Sequence, residues 1–215
     1  MDTQSSIDIA IAFAKNWEKL ASKNPDRTVY FTNTESLAPS TIIYAYPDTK
    51  KGYSIGWGTF GELQDKTKVK YGTTITKEQA DNEIVAEIER VEAAIRDKIT
   101  VELNEYQYAA ILDYAYNAGE GALNYNNLIG VINSGGDVVS VLKKSAITIN
   151  NGATVLSNLK NRRIDEGLLW EGKQNSLYSM YLRNAATIDT VAIVGGTALV
   201  AGLIYWYWKK GVIKI

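Results

Sequence analysis

The sequence predicts an α+β protein that is mainly helical and carries a small β-hairpin lobe. Apolar residues recur every three or four positions along several segments, which is the spacing of a buried helix face. One stretch, Tyr46–Thr59, instead alternates aromatic and aliphatic residues between glycines, as a short hairpin does. With 215 residues, of which 46% are hydrophobic, the chain is long enough for one globular domain and an appendage.

The composition narrows the available chemistry to carboxylates, lysine and tyrosine. The chain contains no histidine, which excludes Ser-His-Asp catalysis and histidine metal sites. It contains no cysteine, so disulfides are excluded as well. A net charge of -1 argues against a nucleic-acid partner, and no residue pattern implies a metal or a cofactor.

The N-terminal region predicts a helix that carries a glutamate near its end. Ser5 or Ser6 is expected to cap it, and the acidic start together with Asp8 makes the segment atypical of a secretion signal. Glu18 lies near the C-terminal end, and the turn at 24–26 (Asn-Pro-Asp) ends the helix. Its apolar positions at helical spacing are Ile7, Ile11, Ala14, Trp17 and Leu20.

The next segments predict strands and then five helices. Strands are expected at Thr28–Thr32 and Thr41–Tyr46, followed by the hairpin with Asp48 and Ser54 at its mouth. The first long helix has an apolar seam at Ile84, Ile88, Val91 and Ile95, and the second, rich in small residues, is expected to be the buried central one. The helices are expected to begin with capping boxes at Thr76–Gln79 and Asn104–Gln107, and then to cover 126–133, 137–146 and 153–170.

The C-terminal region predicts a membrane-spanning helix. Val191–Trp208 holds 18 residues without a charge, which span roughly 27 Å as a helix, about the thickness of a hydrocarbon core. The segment ends in four aromatic residues, Tyr205–Trp208, followed by Lys209 and Lys210, as at a membrane interface. The alternative is a buried core helix at the C-terminus.

Glu18, Asp48 and Ser54 form a candidate site for glycoside hydrolysis. That chemistry needs one protonated carboxyl group and one carboxylate that activates water or stabilises positive charge. The helix C-terminus and Trp17 are expected to favour a protonated Glu18, whereas turn amides and Lys50 or Lys51 favour an ionised Asp48. Many proteins contain such carboxylate pairs, so this pattern alone does not assign an activity.

Several segments resemble, in the same order, motifs of the phage-type lysozymes of glycoside hydrolase family 24. Phe13–Leu20, F-A-K-N-W-E-K-L, resembles the family's aromatic-Glu-Gly-hydrophobic helix end. Tyr46–Thr59, Y-P-D-T-K-K-G-Y-S-I-G-W-G-T, keeps the register of its hairpin, D-x(5)-T-I-G-x-G-H. Tyr114–Leu123 resembles its F-N-x-G helix end, and 127–133 and 161–170 resemble the segments that follow. The resemblance covers most of residues 7–172.

The resemblance implies that Glu18 is the general acid, Asp48 positions the attacking water and Ser54 is the hydroxyl partner of Asp48. Residues 22–43 are expected to be an insertion, and Glu35 is a rival for the acid if the insertion begins earlier. Ser54 replaces the family's threonine and keeps the hydroxyl. Thr59 replaces the family's histidine, so an ion pair made by that histidine is expected to be absent.

The resemblance also implies a lysozyme-like fold and a muramidase that cuts the β-1,4 bond between N-acetylmuramic acid and N-acetylglucosamine. The alternatives are a lytic transglycosylase of similar fold and a degenerate glycan-binding or structural membrane protein. The expected partners are peptidoglycan, a lipid membrane and, in a virion, other membrane or capsid proteins. The expected parts are a catalytic domain at 1–175, a linker or connecting helix at 176–190, the single-pass anchor at 191–208 and a basic tail at 209–215.

Overall fold

Helices make up most of the structure, a computed structural model that describes residues 2–18, 20–23, 29–32, 37–48, 52–145, 148–149 and 154–173. The helices are α1 (Thr3–Glu18), α2 (Lys77–Ile95), α3 (Glu105–Ala118), α4 (Leu128–Asn133), α5 (Val138–Lys144) and α6 (Ser157–Trp170). The strands are β1 (Leu20–Lys23), β2 (Val29–Thr32), β3 (Ile42–Tyr44), β4 (Tyr46–Asp48), β5 (Gly52–Ile55), β6 (Thr59–Phe60), β7 (Thr74–Thr76), β8 (Thr148–Ile149) and β9 (Thr154–Val155). Short 3-10 helices cover Arg96–Lys98 and Glu120–Asn127. The predicted α+β class with mainly helical content is confirmed.

Helix α1 begins earlier and ends earlier than the sequence predicts. The side chain of Asp2, not that of Ser5 or Ser6, accepts hydrogen bonds from the first free amides, those of Gln4 and Ser5, at 3.1 and 3.3 Å. The predicted serine cap was therefore wrong, because an aspartate three residues upstream performs the same role. Leu20, expected on the helix face, lies instead in β1 and is 1% exposed.

Both predicted capping boxes are confirmed. The side chain of Thr76 accepts a hydrogen bond from the amide of Gln79, and the Gln79 side chain accepts one from the amide of Thr76. Asn104 and Gln107 make the same reciprocal pair at the start of α3. These bonds satisfy amides that have no partner inside the helix, which is why the two boundaries were visible in the sequence.

Helix α3 is the centre of the helical layer, as its small residues predicted. It packs against α1, α2 and α6. A run of four consecutive residues on α3 is completely buried: Ala109, Ala110, Ile111 and Leu112. Because buried side chains occur on every side of α3, it is enclosed by its neighbours rather than lying on the surface. The apolar seam predicted for α2, from Ile84 to Ile95, is also buried.

The hairpin is the small β-lobe. Strands β4, β5 and β6 form an antiparallel sheet in which Tyr46 lies opposite Ser54 and Asp48 lies opposite Gly52. Separate antiparallel pairs join β1 to β2, β3 to β7, and β8 to β9. Strands β2 and β3 lie within the predicted strand segments, whereas β1, β7, β8 and β9 were not predicted. The last two precede α6, which begins at Ser157 rather than at residue 153.

Several predicted features lie outside the described residues. They are Glu35, much of the expected insertion at 22–43, the linker at 176–190, the membrane helix at 191–208 and the tail at 209–215. In the described part of the chain, no helix combines the length and the apolar character needed to cross a membrane.

Candidate active site

The β-hairpin brings Asp48 and Ser54 into direct contact. The hydroxyl of Ser54 donates a hydrogen bond of 2.6 Å to Oδ2 of Asp48, from β5 to the neighbouring strand β4. Ser54 is completely buried, so its hydroxyl is held in one environment instead of exchanging with water. A carboxylate that accepts a hydrogen bond is stabilised in its ionised form, which suits a group that orients water.

Tyr46 connects this pair to Glu18. It is the cross-strand partner of Ser54 and shares a hydrogen bond with its side chain. Burial raises the pKa of Tyr46 to about 12, with the nearby charges of Glu18 and Asp48 adding to the rise and the Ser54 hydrogen bond opposing it. The phenol therefore stays protonated at neutral pH and lies within electrostatic reach of both carboxyl groups.

Glu18 is the last residue of α1, and an arginine of α6 holds it. One terminal nitrogen of Arg162, Nη1, donates a hydrogen bond to Oε1 of Glu18. The Glu18 side chain remains 24% exposed, so the carboxyl group is accessible to a ligand. Its other oxygen, Oε2, faces the hairpin turn, where a Cβ atom built on Gly58 would lie 3.1 Å from it.

The turn at Gly58 is held from two sides against the helices. The Tyr116 hydroxyl of α3 donates a 2.8 Å hydrogen bond to the carbonyl oxygen of Trp57. The Trp57 indole N–H donates to Asp81 of α2 at 2.9 Å, and Lys15 lies over the same ring at 5.3 Å. Gly58 has φ of +101°, a conformation that favours glycine, so the backbone can pass close to the Glu18 carboxyl group.

Arg162 is shared between Glu18 and a buried aspartate of α3. Its Nε and Nη2 donate to the two carboxylate oxygens of Asp113, at 3.0 and 2.6 Å. The Arg162 side chain is 4% exposed and that of Asp113 is 0% exposed. Burial disfavours the guanidinium charge, but the carboxylates of Asp113 and Glu18 outweigh this effect and raise the pKa of Arg162.

A second arginine and a second acid extend this buried cluster. Nη2 of Arg163 donates to Glu166 at 2.5 Å and to Asn117 at 2.7 Å. Burial raises the pKa of Glu166 well above its usual range; Arg163 lowers it, and the neighbouring Asp113 raises it further. The same Oε1 of Glu166 lies 3.8 Å from Nε of Arg162, so this carboxyl group approaches both arginines.

The arrangement places two differently situated carboxyl groups within electrostatic reach of one tyrosine, Tyr46. Asp48 accepts a hydroxyl hydrogen bond at the hairpin, and Glu18 offers a free oxygen beside the turn. Such a pair can provide a proton to a leaving oxygen and orient a water molecule. Among the described residues, no group of three or more acidic side chains is arranged to hold a metal ion.

The family of the chain follows from its match to known proteins. Residues 40–166 match the family described as phage lysozyme, which is more than half of the chain. The chain belongs to the phage lysozyme family. The matched range includes Asp48, Ser54, Asp113 and Arg162 but not Glu18, whose role therefore stays a prediction from its local motif.

Curated relatives and solved structures agree with this family. The chain is 33% identical over 132 residues to an endolysin of Acyrthosiphon pisum secondary endosymbiont phage 1, covering 60% of the chain and 86% of that protein. It is 26% identical over 127 residues to an endolysin of Bacillus phage PZA, covering 59% of the chain but only 47% of that protein. The chain thus spans about half the length of that second relative.

Similarity to solved structures supports the fold. The endolysin from Escherichia coli O157:H7 phage FAHEc1 aligns with a TM-score of 0.57 at 24% identity, covering 79% of this chain and 93% of that one. At this identity the likeness establishes the lysozyme-like fold and nothing finer. The helical lobe and the hairpin lobe of this phage lysozyme family member are the two parts expected from the sequence.

The sequence predicted three site residues and did not predict the charges around them. Glu18, Asp48 and Ser54 are all described; the last two are bonded to each other, and Tyr46 links them to Glu18. The roles of Asp113 and Arg162 were not predicted. One signal was available, because an aspartate in a small-residue helix expected to be buried requires a cationic partner.

Proposed function

We propose that this chain is a muramidase that hydrolyses the β-1,4 bond between N-acetylmuramic acid and N-acetylglucosamine in peptidoglycan. The observation that carries the proposal is the hydrogen bond from Ser54 to Asp48 beside Tyr46, a residue within electrostatic reach of both Asp48 and Glu18. Membership of the phage lysozyme family and the endolysin relatives support the same substrate class.

In the proposed reaction Glu18 is the general acid. Its Oε2 carries the proton, because Oε1 already accepts a hydrogen bond from Arg162. Transfer of that proton to the glycosidic oxygen accompanies cleavage of the C–O bond and releases the leaving sugar as an alcohol. Positive charge then develops on the sugar ring, where the anionic groups of the site stabilise it.

Asp48 orients the water that completes the hydrolysis. As a carboxylate it accepts a hydrogen bond from Ser54, and a carboxylate has two oxygens that can also accept from a water molecule. The water adds to the anomeric carbon and gives up a proton to Asp48, so atoms and charge balance over the step. A lytic transglycosylase closes an internal 1,6-anhydro bond without water, and the Asp48–Ser54 pair would then have no role.

The products separate these possibilities in one experiment. The full chain is incubated with purified peptidoglycan, and the soluble fragments are identified by mass spectrometry. We expect fragments with reducing ends, and none from the Glu18→Gln variant. Fragments with 1,6-anhydro ends indicate a transglycosylase, and the absence of release from the unmodified chain indicates a glycan-binding or structural protein.

We also propose that residues 191–208 anchor the protein to a membrane in a single pass. The support is the 18-residue uncharged segment ending in aromatic residues and lysines. An anchored peptidoglycan hydrolase suits a phage lytic role, either in a membrane-containing virion or at the host inner membrane with the catalytic domain facing the cell wall. Virion membrane or capsid proteins are partners only in the first case.

A further inference from the structure

The contact between Glu18 and Arg162 presents a chemical problem for the proposed function, on which this inference rests. A general acid must hold its proton until the leaving oxygen takes it. A guanidinium beside a carboxyl group favours loss of that proton, typically by about 1–3 pH units when the two groups are in contact. An uncompensated Arg162 would therefore oppose the proposed role of Glu18 as the general acid.

The charged and titratable groups near Glu18 lie on several elements of the described part of the chain. They are Arg162 and, beside it, Glu166 of α6; Tyr46 and Asp48 of β4; Tyr116 and, behind the arginine, Asp113 of α3; Glu87 of α2, which acts on Tyr116; and Lys15 of α1, which lies over the Trp57 ring. Burial raises the pKa of Tyr116, so both tyrosines are neutral at the pH of catalysis. The cation that bonds Glu18 is Arg162, and Arg162 makes two hydrogen bonds to Asp113.

The geometry shows how the donor nitrogens of Arg162 are distributed. Asp113 accepts from two of the three, Nε and Nη2, in a buried bidentate contact. Glu18 receives only Nη1. Two opposite charges in bidentate contact have no net charge, so their combined effect on a neighbouring group is weaker than that of the arginine alone. The pair then offers Glu18 an N–H donor whose positive charge is largely compensated.

We propose that Asp113 is a positioning residue that neutralises Arg162, so that the arginine fixes Glu18 in place without removing its proton. An N–H donor bonds the carbonyl oxygen of a protonated acid as well as it bonds a carboxylate oxygen. Glu18 thus keeps Oε1 on Arg162 and carries its proton on Oε2, which faces the turn at Gly58. The aspartate acts through the arginine and does not touch the substrate.

The test uses the full chain in detergent and the variant Asp113→Asn. The change removes one charge with almost no change in shape, so Arg162 is left with its charge uncompensated. In the pH–rate profile, activity falls on the alkaline side where the general acid loses its proton. We expect this alkaline limb to move to lower pH by about one unit or more. Adding Arg162→Gln to Asp113→Asn removes the uncompensated charge, and we expect the limb to return toward that of the unmodified chain.

One control separates charge from structural damage. Glu92→Gln removes another buried carboxylate, on α2, which accepts hydrogen bonds from Arg96 and from Tyr108 of α3. We expect it to lower stability without moving the limb. A limb unchanged by Asp113→Asn in a folded protein, or moved equally by Glu92→Gln, overturns the proposal.

Carboxyl ¹³C NMR tests the role of Asp113 without measuring activity, so its outcome is independent of the proposed muramidase function. In the unmodified chain we expect Asp113 to show the carboxylate signal throughout the range in which Glu18 titrates; a protonated Asp113 in that range overturns the inference even if no variant folds. In Asp113→Asn we expect Glu18 to lose its proton at lower pH. These readings do not depend on activity, whereas a lack of product from peptidoglycan refutes the muramidase function alone.

Discussion

The hydroxyl of Ser54 lies 2.6 Å from Oδ2 of Asp48 and donates a hydrogen bond to it across the β4–β5 ladder. Ser54→Ala removes that donor, and we expect transition-state stabilisation to fall by about 1–3 kcal/mol, the scale of one hydrogen bond to a charged group. The measurement is kcat/KM on peptidoglycan. The fold should persist, since the change removes a single buried oxygen atom.

Ser54→Thr is the matched variant for the same position. It keeps the hydroxyl and introduces the residue that the family motif carries, so we expect activity close to that of the unmodified chain. Equal rates for the alanine variant and the unmodified chain would mean that the hydroxyl only fills the sheet and has no part in the reaction.

The hairpin and the capped helices were predictable because their signals are local. Asn104 and Gln107 are three residues apart and bond to each other, and the glycines of the hairpin are needed where the backbone turns. Tyr46 and Ser54 are close in sequence, so the alternation of the strands was sufficient to place them on neighbouring strands.

The charge cluster was not predictable because its partners lie far apart along the chain. Asp113 and Arg162 are 49 residues apart, and Glu18 and Arg162 are 144 apart. Periodicity predicts which face of a helix is buried but does not identify the residue that lies opposite. The same reason applies to β7, because the partners of Thr74–Thr76 lie in β3, thirty or more residues earlier in the chain.

Glu18→Gln tests the acid role directly. Glutamine has the same shape and can still accept the hydrogen bond from Arg162, but it cannot donate an acidic proton. We expect kcat to fall by at least about 10³-fold, the range of general-acid contributions, with little change in melting temperature. Glu105→Gln, at the start of α3 where the carboxylate accepts from Ser5 at 2.9 Å, is the control and should keep its activity. Full activity in Glu18→Gln with loss in Glu35→Gln would transfer the acid role to Glu35.

Gly58→Ala tests the close approach of the turn to the acid. A residue other than glycine at φ of +101° costs about 1–3 kcal/mol, and the new methyl group would meet Oε2 of Glu18 at 3.1 Å. We therefore expect both a lower melting temperature and a loss of activity larger than the loss of stability explains. Gly61→Ala is the control, because it also has positive φ but no atom within 4 Å of the added carbon. If the two variants lose activity equally, the approach to Glu18 is not the cause.

The burial of Tyr46 and Tyr108 should lower the free energy of unfolding at alkaline pH. Burial raises the pKa of Tyr46 to about 12 and that of Tyr108 further, whereas an unfolded tyrosine releases its proton near pH 10. Below about pH 10 both states keep the proton and this contribution is complete. As the pH rises from about 10 toward 12, only the unfolded state ionises, so the free energy of unfolding falls.

Melting temperatures measured between about pH 9 and 12 test this dependence. Tyr108→Phe should make the decline above about pH 10 shallower, although it also removes the hydrogen bond to Glu92 and lowers the stability at neutral pH. Tyr71→Phe, at a side chain that is 63% exposed, is the comparison and should leave the slope unchanged. Identical slopes in the two variants would show that burial of Tyr108 does not control the decline.

The C-terminal segment gives a prediction about anchoring and topology. Residues 191–208 should partition into a bilayer, with Lys209 and Lys210 remaining in water beside the headgroups. We expect the full chain to float with liposomes and a chain ending at residue 186 to stay in the soluble fraction. Leu199→Glu in the full chain places a charge at the middle of the segment, which should weaken flotation because a charge is costly in the hydrocarbon core.

Protease protection then determines the orientation. Lysines prefer the cytoplasmic side of a membrane, which would place the catalytic domain on the opposite face, toward the cell wall. In sealed vesicles we therefore expect external protease to digest either the catalytic domain or the tail at 209–215, but not both. Digestion of both from one side would exclude a spanning helix, since a single pass must separate the two ends. Equal recovery of the full and shortened chains in the soluble fraction would exclude anchoring altogether, because removal of the uncharged segment would then have changed nothing.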